Sequence, residues 1–241
     1  MTFSAVLDRL VALVFPPRCI MCRTPVPYGQ DFCGKCHWDY LSAAQRADIS
    51  KNLANSAYAR ALAVFRYDTT TARAILAMKT YQDKRTLTFF AREMAQCLAQ
   101  EWGSGSPIFD VITCVPMSPK TRRSRGFNHA EVLAQQLSAL FELPFAEDLL
   151  TRDNCSLPQR RLVRAERFPN AARSYQPGRQ ITKARGLHIL LIDDVLTTGA
   201  TVGACATLLQ AAGAASVSVM AACAPIQAAE RDFADEPELA P

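Results

Sequence analysis

Between Ile189 and Thr201 the chain reads Ile-Leu-Leu-Ile-Asp-Asp-Val-Leu-Thr-Thr-Gly-Ala-Thr. An uncharged, strand-like run ends in the paired acids Asp193 and Asp194. A bend of small residues, Thr197, Thr198, Gly199, Ala200 and Thr201, then leads into a helix-like stretch. In an open α/β sheet, ligands bind along the edge where strands hand over to helices. A helix N-terminus offers a phosphate unpaired backbone N–H groups and a favourable dipole. The threonines add hydroxyl donors, and Gly199 lets the backbone come close. Adjacent carboxylates suit a ribose diol or a hydrated magnesium ion. Residue chemistry alone therefore reads as a sugar-phosphate site, with a purely structural Asp-Asp turn as the plain alternative.

Two other strand-end acid patterns do not fit. Receiver domains place their acid pair near the start of the domain, and haloacid dehalogenase-type phosphatases use Asp-x-Asp. The string instead resembles the 5-phosphoribosyl-1-pyrophosphate (PRPP) motif of type I phosphoribosyltransferases. That resemblance implies that Asp193 and Asp194 hold the ribose hydroxyls, and that Thr197 to Thr201 hold the 5-phosphate.

Four of the nine cysteines form two Cys-x-x-Cys pairs, Cys19/Cys22 and Cys33/Cys36. Two such knuckles offer four thiolates to one tetrahedral zinc ion. Pro25, Pro27 and Gly29 suit the short connecting loop. No export signal is evident, because Asp8 and Arg9 interrupt the N-terminal apolar run, so disulfides are not expected. A redox Cys-x-x-Cys would not require the second pair. Four thiolates leave no open position, which makes the zinc structural. His37 is a competing ligand or a spectator, the latter being preferred. Cys97, Cys114, Cys205 and Cys223 lie in apolar surroundings and read as small core residues.

A second candidate loop follows the apolar run Phe109–Val115. It carries Pro116, Met117, Ser118, Arg125, Gly126 and Asn128, a cation, a turn and an amide suited to clamping pyrophosphate or a nucleic-acid backbone. The plain alternative is a solvated basic loop, which composition alone slightly favours. Residues 151–185 hold nine basic residues and two acids. Among them Arg160, Arg161, Arg164 and Arg167 are candidate contacts to a phosphate backbone. Tyr175 and Phe168 read as core anchors first and as base-stacking groups second.

The elements that must position these groups alternate. Strands are expected over 60–68, 109–115, 188–192 and 216–223, with a short one over 144–149. Helices are expected over 71–79, 86–101, 129–141 and 202–212. This alternation implies an α/β fold, a mainly parallel sheet with helices on both faces. The basic segment 151–185 lacks periodicity and reads as a hairpin or hood. Phe3, Val6, Leu7, Leu10, Val11 and Val14 recur at helical spacing as a short amphipathic helix packed on the protein. The expected organisation is a zinc-binding module over 1–55, the main domain over 56–229, and an acidic flexible tail over 230–241.

With 241 residues and 49% apolar content, the chain can build a sizeable core without staples. No charge occurs from Val195 to Ala229, but Gly199, Gly203, Gln210, Gly213 and Pro225 punctuate that stretch. It reads as a tightly packed helix and a buried strand rather than a membrane span.

The run from Arg125 to Ala134, Arg-Gly-Phe-Asn-x-Ala-x-x-Leu-Ala, resembles the signature of the ComF/GntX family. Gln159, Leu162, Arg167 and Asn170 resemble its Gln-x-x-Leu…Arg-x-x-Asn pattern. Cys114, Met117, Thr121 and Ser174-Tyr175 depart from the usual residues. The resemblance spans residues 19–225. It implies a zinc-binding segment joined to a type I phosphoribosyltransferase-like domain, and a cytoplasmic role in handling incoming DNA. The first functional expectation is an accessory protein for DNA uptake or utilisation that binds single-stranded DNA or its nucleotides. The second is a magnesium-dependent phosphoribosyltransferase using PRPP on an unassigned acceptor. The third is an adaptor whose zinc segment docks a DNA-uptake helicase or another competence protein.

Overall fold

The computed structural model describes residues 15–37, 47–48, 57–81, 84–102, 109–152 and 174–225. The expected N-terminal helix, Arg160, Arg161, Arg164, Arg167, Phe168, Cys155 and the acidic tail lie outside the described residues.

A five-stranded sheet organises the described chain. Its strands are β1 (Ala47–Asp48), β2 (Arg60–Arg66), β3 (Val111–Cys114), β6 (His188–Val195) and β7 (Ser216–Ala224), in the order β1-β2-β7-β6-β3. Every pairing from β2 through β7 and β6 to β3 is parallel, and β1 adds an antiparallel edge. The interior strands are near-continuous aliphatic runs, as expected where both faces of a sheet are covered.

Successive strand residues point to opposite faces, so each strand feeds two cores. On one face Leu190, Ile192 and Met220 pack against helices α1 (Thr69–Tyr81), α2 (Lys84–Trp102) and α4 (His129–Phe141). On the other, Ile189, Leu191, Val217 and Val219 pack against Val202, Cys205 and Leu209 of α5 (Ala200–Ala211). Helix α2 buries Leu87, Phe90, Met94 and Leu98, one stripe at helical spacing. Phe65, Phe89 and Phe90 meet with ring centroids 5.5 to 5.9 Å apart, and Phe32 extends the cluster with an edge contact to Phe89 at 5.3 Å.

Cys19, Ile20, Met21 and Val26 of the cysteine module are buried in that same core. Arg85 of α2 fastens the module by donating to the Arg18 and Gln30 carbonyls and to Asp31 Oδ1. Cys97, Cys114, Cys205 and Cys223 are buried, as their apolar surroundings indicated. Among the described residues, no helix is long and apolar enough to cross a membrane.

Three local expectations need correction. Strand β6 does not stop before the acids: Asp193 pairs with Ala221 and Val195 with Cys223, because β7 runs on beside it. The segment after β3 contains a short helix, α3 (Pro119–Arg125). Ser118 caps it by accepting from the Thr121 N–H, Pro119 starts it, and Gly126 ends it at φ 87°. Finally, 144–149 is not a strand. Phe145 makes one parallel bridge to Ile112, and Glu147–Leu149 then form a 3-10 turn. The Asp148 carbonyl accepts from Gln180 N–H and the Leu149 carbonyl from Gly178 N–H, so these groups are satisfied outside the main sheet.

Over the α5 face lies a hairpin of β4 (Leu150–Arg152) and β5 (Tyr175–Pro177), in which Arg152 faces Tyr175. The two strands bracket part of the segment expected as a hairpin or hood, of which 153–173 lie outside the described residues. Gly178 follows, where a Cβ would sit 2.2 Å from the Asp148 carbonyl oxygen.

Phe90 is fully buried at the centre of the aromatic cluster. Phe90→Ala is expected to lower unfolding free energy by about 3–5 kcal/mol, the usual cost of an emptied aromatic site. Urea denaturation followed by circular dichroism measures it.

Candidate functional site

A cleft of about 520 Å³ opens at the carboxyl ends of β3 and β6. It gathers Asp193, Asp194, Thr197 and Thr201 from one side and Pro116, Met117, Arg125 and Asn128 from the other. Residues expected from two separate motifs therefore share one cavity. Thr198, Gly199, Ala200, Ser118 and Gly126 are not among the described residues that line it.

The strand alternation explains how the two acids sit. Asp193 continues the face of Ile189 and Leu191, and Asp194 continues the face of Leu190 and Ile192. Each carboxylate thus leans towards a different layer. Asp194 Oδ2 accepts from Lys79 Nζ at 2.7 Å, a cation delivered by the last turn of α1. Asp193 Oδ1 accepts from the Asp194 N–H at 2.8 Å. Burial, then the neighbouring Asp194 charge, pushes the Asp193 carboxyl up to about 7. The Lys79 and Arg152 charges pull it the other way.

Gly199 adopts φ 74° and starts α5, its carbonyl accepting from the Gly203 N–H. That left-handed turn favours glycine. The helix N-terminus carries one long side-chain contact, from Ala200 N–H to Thr198 Oγ1 at 3.4 Å. Thr198 therefore serves the bend itself, while Thr197 and Thr201 face the cleft.

In the facing loop, Asn128 is largely structural despite lining the cleft. It caps α4 by accepting from the Ala130 N–H and donates Nδ2–H to the Val115 carbonyl at 2.9 Å. Arg122 forms a two-pronged pair with buried Glu131, at 2.9 and 3.1 Å, which pins α3 to α4. These bonds leave Arg125 as the guanidinium of that loop lining the cleft.

Three cleft-side residues carried no weight in the sequence. Lys79 is one; its signal was a lone cation closing an otherwise apolar Ala-Ile-Leu-Ala-Met run. Arg152 is the second. Its guanidinium lies 5.1 Å from the Tyr175 ring centroid, and among the described residues its Nε is buried without a partner. Tyr175 is itself 3% exposed and bonded to Thr201, so it anchors the hairpin and is not free to stack on a base. His129 is the third. It lies buried against Phe127, ring centroids 4.7 Å apart, and among the described residues neither ring nitrogen makes a well-formed hydrogen bond. Burial lowers its pKa, Asp194 opposes this and Lys79 and Arg125 add to it, so the charged imidazolium is disfavoured.

Away from the cleft, the sulfurs of Cys19, Cys22, Cys33 and Cys36 lie within 4.8 Å of one another, with Cys22 and Cys33 3.6 Å apart. Bonds of about 2.3 Å to a tetrahedral zinc would separate sulfurs by roughly 3.8 Å, so the cluster fits that ion. Burial raises the Cys22 thiol, but hydrogen bonds with Thr24 and the neighbouring cysteines outweigh it and bring it down to about 6. Burial and those neighbours push Cys36 up. His37 lies outside the cluster and rests against Phe32.

Comparison with known proteins agrees with both halves. Residues 10–47 match the double zinc ribbon domain, and residues 121–237 match the phosphoribosyl transferase domain. The fold and the cleft thus define a phosphoribosyltransferase-like protein bearing a zinc ribbon, and the four cysteines support a structural zinc ion. The chain is 33% identical over 141 residues to the DNA utilization protein YhgH of Salmonella typhi, covering 55% of this chain and 60% of that protein. It is 28% identical over 110 residues to Competence protein F of Haemophilus influenzae, covering 46% of this chain and 48% of that one. The chain therefore spans between about half and 60% of the length of these relatives. An adenine phosphoribosyltransferase from Thermoanaerobacter pseudethanolicus aligns with a TM-score of 0.37 at 15% identity, over 60% of this chain and 83% of that one. These two domain matches and relatives support assigning the chain to the ComF/GntX family.

A carboxyl raised from 3.8 to about 7 keeps its proton in the folded chain where the unfolded chain has lost it. Its ionisation therefore costs nothing below about pH 4 and costs increasingly as pH climbs towards 7. Asp193→Asn removes that cost. Its stability relative to wild type is expected to improve between about pH 4.5 and pH 7 and to level off above. Urea midpoints of both proteins across that range measure the difference.

Proposed function

We propose that the cleft binds a phosphorylated pentose, either PRPP or a nucleoside 5′-phosphate, in a protein that serves the uptake or use of DNA. One observation carries the reading: Asp193, Asp194, Thr197 and Thr201 line the same cavity as Arg125 and Arg152. The carboxylates would accept from the ribose hydroxyls. Thr197, Thr201 and the backbone N–H groups opening α5 would donate to the 5-phosphate. Arg125 and Arg152 would face the remaining anionic groups. Magnesium, when bound, would neutralise a pyrophosphate beside the acids. The DNA link is supported by the names of the relatives, DNA utilization protein and Competence protein F.

Within that role, Arg160, Arg161, Arg164 and Arg167 would contact the backbone of single-stranded DNA, and the zinc ribbon would dock a helicase or another uptake protein in the cytoplasm. A transferase is the second reading. It is favoured by the Arg152 guanidinium, which lies over the Tyr175 ring at the cleft, where a planar acceptor base would meet the sugar.

Calorimetry with PRPP and with a nucleoside 5′-monophosphate, in magnesium, tests the pocket. Wild type should bind at least one of them, and Asp193→Ala/Asp194→Ala should weaken that binding by about a hundredfold or more, as expected for lost charge-assisted contacts. No heat from wild type with either ligand refutes the reading; release of pyrophosphate in the presence of a nucleobase would favour the transferase. Filter binding to single-stranded DNA over a salt series tests the second surface. Replacing Arg160, Arg161 and Arg164 with alanine should weaken binding and flatten its salt dependence by roughly two to three in log–log slope.

A further inference from the structure

The ion pair at the floor of the cleft joins two parts of the chain that no motif connects. Lys79 Nζ lies 2.7 Å from Asp194 Oδ2, with side-chain exposures of 26% and 17%. A fully exposed pair would contribute little, but partial burial in a concave site strengthens the attraction. Lys79 is also well placed to stay there. Asp68 caps the start of α1 through the Thr70 and Thr71 N–H groups, and Ala74, Ile75, Ala77 and Met78 are buried. Lys79 stands in the last turn of that anchored helix, where the macrodipole favours a cation.

The charge balance of the cavity gives this position its meaning. Among the described residues, its lining holds three cationic side chains, Lys79, Arg125 and Arg152, against two carboxylates, Asp193 and Asp194. Without Lys79 the count would be even, and Asp194 would lose the cation bonded to it. Two carboxylate oxygens are already engaged, Asp194 Oδ2 by Lys79 and Asp193 Oδ1 by the Asp194 N–H. A magnesium ion, which sheds its water reluctantly, would have to displace the ammonium to reach Asp194 Oδ2.

We propose that Lys79 is the resident cation of the cleft, its ammonium holding at Asp194 the positive charge a divalent ion would otherwise bring, so that the phosphorylated sugar binds without magnesium. This rests on the sugar-phosphate reading of the cleft. Lys79 then has two tasks: it compensates Asp194 before the ligand arrives, and it faces the ligand's anionic groups afterwards. Arg125 and Arg152 act from the loop and the hairpin and leave the floor of the cleft to Lys79.

The test is calorimetry of PRPP, as its sodium salt, against the zinc-loaded full chain. Buffers are cleared of divalent ions on a chelating resin before protein is added, which leaves the ribbon's zinc in place. Each titration is run with and without millimolar magnesium, so the readout is binding heat and not turnover. Wild type is expected to change affinity by less than about threefold when magnesium is omitted. Lys79→Met should lose at least about tenfold without magnesium, and magnesium should restore most of it, whereas Lys79→Arg should track wild type. Wild type that binds PRPP in magnesium alone overturns the proposal and leaves the sugar-phosphate reading standing. Wild type that binds in neither buffer removes both. A Lys79→Met protein indistinguishable from wild type without magnesium also overturns it. Thermal melts accompany each titration. If Lys79→Met does not fold, Lys79→Gln takes its place with the same required loss.

Discussion

The alternation of side chains along β6 is the constraint from which the cleft follows. Ile189 and Leu191 are locked into one core and Leu190 and Ile192 into the other, so the next two residues cannot choose their directions. Asp193 must lean towards α5 and the hairpin, and Asp194 towards α1. Slipping β6 by one residue would bury an acid and expose a leucine, a change that both cores oppose. The aliphatic strand is thus what divides two adjacent carboxylates between two layers, and each layer brings a cation towards them. One feels its neighbour and its burial strongly, while the other is neutralised by a lysine.

The cysteine module depends on the same architecture. It contributes Ile20, Met21 and Val26 to the core that contains Phe65 and Phe90, and Arg85 binds its backbone directly. A ribbon of this size has little apolar surface to bury by itself, so metal and docking must share the work. The four sulfurs already lie at separations suited to a tetrahedral ion, because the chain returns at Cys33 beside Cys22. The ribbon's position is therefore set by α2 as much as by its ligands.

Most of the sheet was legible because strong signals are local. His129–Phe141 matches its sequence-derived range, since Asn128 caps it and Leu133 and Leu137 keep helical period. The Asp-Asp bend and the cysteine pairs were legible for the same reason: each is a contiguous pattern with a known chemistry. What could not be read was long-range. Lys79 and Asp194 are far apart in sequence, and nothing in either neighbourhood names the other. Arg122 and Arg125 look equivalent in the sequence, yet Glu131 takes the first and the cleft the second. The short strand expected over 144–149 stops at one bridge because, after the Pro144 carbonyl and the Ala146 N–H bond Ile112, the Asp148 and Leu149 carbonyls turn to Gln180 and Gly178.

The hairpin's closing pair has a consequence for how this molecule can vary. Arg152 and Tyr175 face each other across β4 and β5, and the turn beyond β5 is held tight at Gly178 against Asp148. The chain thus departs from and returns to one fixed doorway. For a flexible loop whose ends are fixed in this way, each doubling of length would add only about 0.6 kcal/mol of closure entropy. By that rule, a change of length between two such fixed ends costs little and leaves the chamber behind the doorway as it is.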